Sequence, residues 1–351
     1  MNRSGSIIAC IWDFDRTLIP GNMQAPLFHD YGIDEVSFWA VIDAFSAKLR
    51  ERNIRLSDTL VYLNFILAAV RQGYFRGFSK EKLTRYGEKL SFFPGVPEIF
   101  SILKMDIEGN ELYRANKITL EHYIISSGHA EIIRGSQVAS FVDNIFACEF
   151  LGREIEDEIQ KIFQKQKDSQ SEQEERSSVE NFYENDKQIS LGDISDSFTF
   201  KGQSEGSTEI KQIACVVDNT QKTRYLFEIN KGCNKNLAID INSVIGEQNR
   251  RIPFRNMIYI ADGLSDVPAF SVIRSHGGKA FAVYNPSNED EFAQNDRLLE
   301  EGRIDAYGPA DYRPGSSTTK WLRLHVQKIA QKIVSDRALV TSKTANSSSD
   351  H

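Results

Sequence analysis

The sequence predicts an α/β fold in which a Rossmann-like, doubly wound parallel sheet carries an inserted α-helical module. Residues 7–12 are apolar at every position, which is typical of a strand covered on both faces of a parallel sheet. Similar apolar runs end at 122–125, 145–147, 257–260 and 279–283, and most precede a turn signal and a helical pattern. Strands that alternate with helices indicate a doubly wound sheet, whose ligands bind beyond the carboxyl ends of the strands.

Residues 19–93 lie between the first two predicted strands and have the pattern of a wholly helical cap. Ser57 begins a helix with a leucine-rich stripe, Ser79 begins a second and more polar helix, and a proline–glycine break ends the segment. The predicted organisation is a discontinuous core domain, formed by 1–18 and 94–335, with the cap inserted in it.

The acidity of the chain is concentrated in one segment. The 351 residues have a formal net charge of −7, and residues 153–210 contain fifteen acidic and seven basic residues, a balance of −8, which leaves +1 for the rest. We interpret 153–210 as a low-complexity insertion, mobile in its middle and available to a protein partner. The acidic balance argues against nucleic-acid binding, which needs a clustered positive surface. We also expect a disordered tail at 336–351.

The sequence predicts a cytoplasmic protein without membrane attachment. The first apolar run is too short for a signal peptide, and the longest apolar stretch of the cap, 60–70, is well short of the roughly 20 residues that span a bilayer. The four cysteines, at 10, 148, 215 and 233, show no metal-ligand spacing. We interpret them as free thiols in a reducing compartment.

Two pairs of aspartates follow predicted strands. Asp13 and Asp15 come where the first strand ends, and the side-chain period of two directs them to the same side. Asp262 and Asp266 follow the strand that ends at residue 260, and helix capping explains one of them but not both. A solvated turn remains the alternative for the first pair. Four carboxylates at one edge of a sheet make an oxygen-rich site that suits Mg²⁺ better than zinc.

Two further features predict groups that bind an anion. Ser126 and Ser127 end the second strand and begin a helix, so hydroxyl and free N–H groups form a corner for an anion, with a simple helix cap as the alternative. Lys222 follows a predicted N-cap, Thr220, in a helix that ends at Gly232. The helix dipole disfavours a cation in this first turn, and a residue that breaks a local rule indicates function. The alternative is a solvated lysine.

In this order, these motifs resemble those of the haloacid dehalogenase (HAD) superfamily of aspartate-nucleophile phosphatases. The matching residues are Asp13-x-Asp15-x-Thr17, Ser126, Lys222 and Asp262-Gly-x-x-Asp266. The helical cap between the first two motifs resembles the phosphoserine-phosphatase-like branch. The resemblance spans residues 7–285 apart from the acidic insertion and implies a HAD-like core.

The resemblance also implies a mechanism and a set of site residues. Asp13 would be the nucleophile of a phosphatase with an aspartyl-phosphate intermediate, and Asp15 would be its acid and base. The ligands of Mg²⁺ would be Asp13, the main-chain carbonyl of Asp15, Asp262 and, in support, Asp266. The groups that bind the substrate phosphate would be Ser126, Ser127, Lys222 and Thr17, the last of which also fixes the loop.

The chain departs from the phosphoserine phosphatases in the loop at 20–24. This loop has no acidic residue where those enzymes are expected to carry a glutamate that reads the substrate amine. Asn22 and Gln24 would be neutral readers instead, so the expected substrate is a small phosphorylated metabolite other than phosphoserine. The alternatives are a phosphotransferase that uses the same intermediate and a non-catalytic protein-binding module.

Three weaker features have plain structural interpretations. We interpret Phe38, Trp39 and Phe45 as the apolar core of the cap rather than a stack for substrate. His129 is interpreted as a helix-capping or exposed residue rather than a phosphate ligand. Residues 305–315 predict an ordered element at the edge of the core, to which the sequence assigns no role.

Overall fold

A seven-stranded sheet forms the centre of the computed structural model, which describes residues 5–164 and 210–347. The strands are β1 (Ile7–Trp12), β2 (Thr119–His129), β3 (Asn144–Leu151), β4 (Gln212–Cys215), β5 (Met257–Ala261), β6 (Lys279–Tyr284) and β7 (Ala306–Pro309). Their order is β4-β3-β2-β1-β5-β6-β7, with β4 antiparallel to β3 and the other described pairs parallel. The predicted α/β class with its parallel sheet is confirmed.

Helices connect these strands, in the alternation that the sequence predicts. They are α1 (Ala25–Asp30), α2 (Glu35–Glu51), α3 (Asp58–Arg71), α4 (Lys80–Gly87), α5 (Glu98–Glu108), α6 (Glu111–Ala115), α7 (Ala130–Gly135), α8 (Gln221–Lys231), α9 (Val267–Ser275), α10 (Glu289–Glu300) and α11 (Ser317–Ser347). Residues 154–164 are also helical, and the predicted mobile middle of the acidic insertion lies outside the described residues. Across 5–164 and 210–347, no helix has both the length and the hydropathy needed to cross a membrane.

The central position of β1 determines where the site forms. All six residues of β1 are buried, and β1 pairs in parallel with β2 on one side and β5 on the other. Because the three strands run in the same direction, their carboxyl ends meet at one edge of the sheet. This arrangement brings together two loops that follow strands, 13–17 and 262–266, and residues 126–128 near the carboxyl end of β2.

The strands at the two edges of the sheet were not predicted as strands. β4 and β7 have four residues each and are largely half-buried, so neither shows a long apolar run or a clear alternation. β7 lies in the segment 305–315, which the sequence predicts to be ordered at the edge of the core. That prediction is confirmed, and the segment now has a structural role as an edge strand.

The prediction of a disordered tail at 336–351 is wrong for the residues that the structure describes. Helix α11 continues to Ser347. Its first half buries an apolar stripe formed by Leu322, Val326, Ala330 and Ile333. The Arg337 side chain then donates to the carbonyl of Asn116 and the hydroxyl of Ser6. A helix that is already nucleated and packed extends at little further free-energy cost, which explains the continuation.

Helices α1 to α4 lie within 19–93, and two of their predicted beginnings are confirmed. The hydroxyl of Ser57 accepts from the Leu60 amide at 3.4 Å, and the hydroxyl of Ser79 accepts from the Lys82 amide at 3.2 Å. The predicted aromatic core of this region holds for two of its three members. Phe38 and Trp39 pack against buried Phe28, whereas Phe45 is 41% exposed and packs on Phe65 at the surface.

Helix α4 packs against α7 with the two backbones in direct contact. A Cβ atom on Gly135 would overlap the carbonyl oxygen of Thr84, and one on Gly87 would overlap the carbonyl oxygen of Ile132. Each glycine is therefore required by the close approach of the opposite helix. This contact fixes one part of the helical region directly to the segment that follows β2.

We expect Gly135→Ala to destabilise the folded protein by about 1–3 kcal/mol, because the added methyl group forces two packed backbones apart. Urea unfolding measures this loss. Gly21→Ala is the matched control, since nothing lies within 4 Å of a Cβ at Gly21. Equal stabilities of the two variants would contradict the tight contact between α4 and α7.

Candidate active site

Asp13 stands at the end of β1, at the centre of a buried cluster of charges. Its amide donates to the carbonyl of Ile260 at 2.8 Å, which continues the ladder between β1 and β5 by one residue. The side chain is buried, with 5% of its surface exposed. The backbone therefore holds this carboxylate rigidly at the carboxyl edge of the sheet.

Lys222 supplies the positive charge of this cluster. Its ammonium nitrogen donates to Asp13 Oδ1 at 2.8 Å and to Asp266 Oδ1 at 2.7 Å. Its side chain is 1% exposed, so both ion pairs are shielded from water. Burial lowers the pKa of Lys222, but Asp13 and Asp266 outweigh this effect and raise the pKa above its ordinary value. The lysine is therefore a buried cation, and the alternative of a solvated side chain is excluded.

The helix that carries Lys222 begins differently from the prediction. Thr220 occupies the N-cap position of α8, but its side chain makes no capping hydrogen bond. Asp218 caps the helix instead, because its Oδ1 accepts from the amides of Thr220 and Gln221 at 2.9 and 2.8 Å. The predicted end at Gly232 is confirmed by its left-handed conformation, with φ of 90°.

Asp266 holds Lys222 in place. Oδ1 also accepts from the hydroxyl of Tyr259 at 2.5 Å, and Oδ2 accepts from the hydroxyl of Ser265 at 2.8 Å. The predicted capping role is wrong for this side chain, because Asp266 is the N-cap residue of α9 without a side-chain capping bond. Its carboxylate turns toward the ammonium of Lys222, where a full charge attracts it more strongly than an amide dipole does.

The carboxylates at this edge of the sheet are difficult to ionise. Burial raises the pKa of Asp13 to about 6, although Lys222 opposes the rise. Burial and the charge of Asp13 raise the pKa of Asp15 to about 7. Burial, Asp13 and Asp266 raise the pKa of Asp262 well above its ordinary value. One ammonium group does not balance these acids, so the site is deficient in positive charge.

Three of these acids can hold one metal ion. Asp13, Asp262 and Asp266 each offer a carboxylate oxygen, and the three oxygens lie within 4.8 Å of one another. All the donors are oxygens and the site lacks positive charge, so its residues fit a hard divalent cation such as Mg²⁺. The carboxylate of Asp15 lies outside this group, and its main-chain carbonyl stays a predicted ligand.

The loop after Asp13 is held from two sides. Asp15 Oδ1 accepts from the amide of Met23 at 2.7 Å, and the Thr17 hydroxyl donates to Asp13 Oδ2 at 3.4 Å. Tyr312, which follows β7, donates its hydroxyl to the carbonyl of Thr17 at 2.6 Å. Thr17 thus contacts the predicted nucleophile, and the segment 305–315 supports the loop from the core.

Ser126 and Ser127 differ in their surroundings. The prediction that these residues end the strand and begin a helix is wrong, because β2 continues to His129 and the next helix begins at Ala130. Ser126 is buried, and its hydroxyl accepts from the Gly128 amide at 3.0 Å, which closes a tight corner where the pairing of β2 with β3 is irregular. The Ser127 side chain is half-exposed. Its carbonyl accepts from the Tyr62 hydroxyl at 3.1 Å and from the Cys148 thiol at 3.3 Å. The corner is thus fixed by a residue of α3 and a residue of β3.

The two predicted cap readers, Asn22 and Gln24, differ in their hydrogen bonds. The Asn22 amide donates to Glu35 Oε1 at 2.8 Å, and the Trp39 indole donates to the same oxygen at 3.4 Å. Glu35, at the start of α2, therefore holds the side chain of Asn22. Gln24 is buried, and its Oε1 has no hydrogen-bond partner among the described residues.

Sequence reasoning missed four residues of the site region: Tyr62, His129, Tyr259 and Tyr312. The tyrosines stand in apolar runs or in an unassigned loop, where an aromatic residue indicates core packing. The interpretation of His129 as exposed or capping is wrong, because its ring is fully buried and α7 has no side-chain cap there. Phe150 stacks on it at a centroid distance of 5.2 Å.

A relative with clear sequence similarity spans nearly the whole chain. The chain is 32% identical over 327 residues to an uncharacterised protein of Borreliella burgdorferi, and the match covers 92% of this chain and 97% of that protein. No protein-family model matches the chain.

Two solved structures have a partly similar arrangement of elements. A HAD family hydrolase from Salmonella enterica serovar Typhi has 12% identity and a TM-score of 0.43, covering 87% of this chain and 67% of that chain. A phosphoserine phosphatase in its apo form has 13% identity and a TM-score of 0.41, covering 86% of this chain and 92% of that chain. Both TM-scores lie below 0.5, and the chemistry of this chain rests on the residues described above.

Proposed function

Because the chain belongs to the same family as the Borreliella burgdorferi protein and has the fold of the HAD superfamily, we propose that it is a Mg²⁺-dependent phosphatase. Its substrate is a small phosphomonoester, and its intermediate is an aspartyl-phosphate on Asp13. The buried ammonium of Lys222, which bridges Asp13 and Asp266, carries the proposal. It holds a nucleophile rigidly at the sheet edge, and together with a bound cation it would supply the positive charge that a phosphate group needs there.

In the first step, a carboxylate oxygen of Asp13 forms a bond to phosphorus while the bond from phosphorus to the ester oxygen breaks. Lys222 and the corner at Ser126 bind the other phosphate oxygens and stabilise the charge that develops on them. Asp15 gives its proton to the departing ester oxygen, so the alcohol leaves as a neutral molecule.

In the second step, Asp15 accepts a proton from a water molecule that attacks the phosphorus of the intermediate. The bond between phosphorus and the Asp13 oxygen breaks, which releases inorganic phosphate and restores the free carboxylate. Asp13 and Asp262, with Asp266 in support, would hold the divalent cation, which supplies further positive charge beside the phosphate oxygens.

A screen of phosphorylated metabolites and a generic aryl phosphate, with and without Mg²⁺, tests this proposal beside the Asp13→Asn variant. We expect hydrolysis by the wild-type protein that depends on Mg²⁺ and on Asp13. A wild-type protein that hydrolyses none of the esters would contradict it, as would a variant that keeps its activity. Product analysis with an added alcohol separates hydrolysis from phosphotransfer, because a phosphotransferase gives the phosphorylated alcohol.

Mg²⁺ should stabilise the folded protein through Asp262. At a Mg²⁺ concentration about a hundredfold above Kd, one site that exists only in the folded state adds about 2.7 kcal/mol. We expect Mg²⁺ to raise Tm in the wild type and to have little effect on Asp262→Asn. Asp43→Asn, an exposed aspartate on α2, is the matched control and should respond as the wild type does. A full response of Asp262→Asn would show that Mg²⁺ binds elsewhere.

A further inference from the structure

Two buried side chains near Asp15 lack the hydrogen-bond partners that burial normally requires. His129 is 0% exposed, and neither of its ring nitrogens has a partner among the described residues. Gln24 is 3% exposed, and its Oε1 is likewise unpaired within that part of the chain. Such groups destabilise a fold, so their presence in one small region indicates a partner that binds there.

Contacts place both residues near the loop that carries the proposed catalytic acid, Asp15. Met23 is the link, since its amide donates to Asp15 Oδ1 at 2.7 Å and its sulfur accepts from the His129 amide at 3.1 Å. Gln24 follows Met23 directly in the chain. The ring of Tyr62 packs edge-on against His129, with centroids 5.8 Å apart.

Tyr62 connects these side chains with each other and with the phosphate corner, which is formed by residues 126–128. Burial raises the pKa of Tyr62 well above its ordinary value, the charge of Asp15 adds to the rise, and the neighbouring Gln24 opposes it. The hydroxyl of Tyr62 donates to the carbonyl of Ser127 at 3.1 Å. In the proposed mechanism Asp15 protonates the leaving oxygen, so the leaving group binds near Asp15, whose charge also acts on Tyr62.

We propose, on the basis of the phosphatase function above, that Gln24, Tyr62 and His129 form the subsite for the leaving group, and that this group is a neutral, hydroxyl-bearing one such as a polyol. A neutral imidazole offers one donor and one acceptor, and Gln24 Oε1 offers a second acceptor. A hydroxyl group both donates and accepts, so it can satisfy either side chain.

Charged leaving groups fit this subsite less well. Burial lowers the pKa of His129 to about 4, so the ring is neutral at neutral pH and cannot balance a carboxylate. Gln24 and Tyr62 are also uncharged and cannot balance an ammonium group. A buried charge without an opposite charge is strongly disfavoured, whereas a hydroxyl needs hydrogen bonds alone.

Steady-state kinetics on three phosphate esters tests the subsite: glycerol phosphate as the polyol, phosphoserine as the charged ester and p-nitrophenyl phosphate as an ester without hydroxyl groups. The variants are His129→Phe, which keeps an aromatic ring against Phe150, and Gln24→Leu. Gln212→Leu is the matched control, because its amide oxygen is also unpaired among the described residues but lies on β4.

We expect His129→Phe and Gln24→Leu each to raise KM for glycerol phosphate about tenfold or more, and to raise KM for p-nitrophenyl phosphate by a clearly smaller factor, because the nitrophenyl group has no hydroxyl to bind them. Inhibition by inorganic phosphate should not change, because the phosphate corner is intact. His129→Phe should also keep or raise Tm, since it removes two unpaired polar atoms. Equal losses on all three esters, or a wild-type preference for phosphoserine, would overturn the inference.

Binding to the Asp13→Asn variant separates this inference from the proposed function, because it needs no turnover. Calorimetric titration of Asp13→Asn with glycerol phosphate measures the Kd. Adding His129→Phe to this variant should raise that Kd about tenfold. If His129→Phe weakens binding but the wild-type protein hydrolyses no ester, the subsite is supported and the phosphatase function is rejected. If the wild-type protein hydrolyses esters but His129→Phe leaves the Kd for glycerol phosphate unchanged, the subsite is rejected and the phosphatase function is supported.

Discussion

Replacing Lys222 with methionine should destabilise the folded protein by about 3–5 kcal/mol and abolish its phosphatase activity, because it leaves buried carboxylates without their cation. The ammonium of Lys222 bonds both Asp13 and Asp266 and is shielded from water, so no solvent replaces it. Urea unfolding measures the loss of stability. The matched control is Arg224→Met on the same helix, where an exposed ion pair with Glu228 should contribute less than about 1 kcal/mol.

The loss of folding stability in Lys222→Met should grow as pH rises from 5 to 8. The pKa of Asp13 is already raised to about 6 with Lys222 present, and removing the opposing charge raises it further. A carboxyl whose pKa is raised on folding favours the folded state at low pH and ceases to do so as pH rises through that value. Added Mg²⁺ should restore part of the stability. A variant as stable as Arg224→Met at pH 8 would contradict the central role of this ammonium.

Asp13→Asn should reduce turnover by roughly four to six orders of magnitude, the scale of loss when a nucleophile is removed from a preorganised site. An amide oxygen does not displace the ester oxygen at phosphorus under these conditions, so no covalent intermediate forms. Stability should not fall in metal-free buffer, because the substitution removes one negative charge from a site that has too many. A variant that is both inactive and strongly destabilised would indicate that Asp13 is structural.

Asp15→Asn provides a sharper comparison for the chemistry. Without the acid, esters of poorly acidic alcohols should lose far more activity than p-nitrophenyl phosphate, whose leaving group departs without a proton. The ratio of the two rates measures proton transfer by Asp15 and is independent of how much protein is folded. Equal losses for the two classes of ester would contradict its role as the acid.

The sequence allowed the central strands and the motif residues at their ends to be predicted, because both follow from local rules. β1 is buried on both faces and therefore apolar throughout, and the change from apolar to acidic residues marks where it ends. Lys222 stood out because the helix dipole disfavours a cation in the first turn of a helix. These signals are local in the chain, so no tertiary information was needed to read them.

Features that depend on packing between distant segments could not be predicted. The short strand β7 acquires its role because Tyr312, next to it, reaches the loop at Thr17, which is 295 residues away in the chain. His129 is buried because Phe150 and Tyr62 enclose it, and neither neighbour is adjacent in sequence. The side chain of Asp266 could either cap a helix or meet a cation, and the position of Lys222 decides between these outcomes.

The direct backbone contact between α4 and α7 makes the attachment of α4 to the core different from that of α3. These two helices have no side chain between them at Gly87 and Gly135, so their main chains are in direct contact there. Helix α3 instead reaches the phosphate corner through the long side chain of Tyr62. The helical region is therefore joined to the core in two different ways, by a main-chain contact at α4 and by a side-chain hydrogen bond at Tyr62.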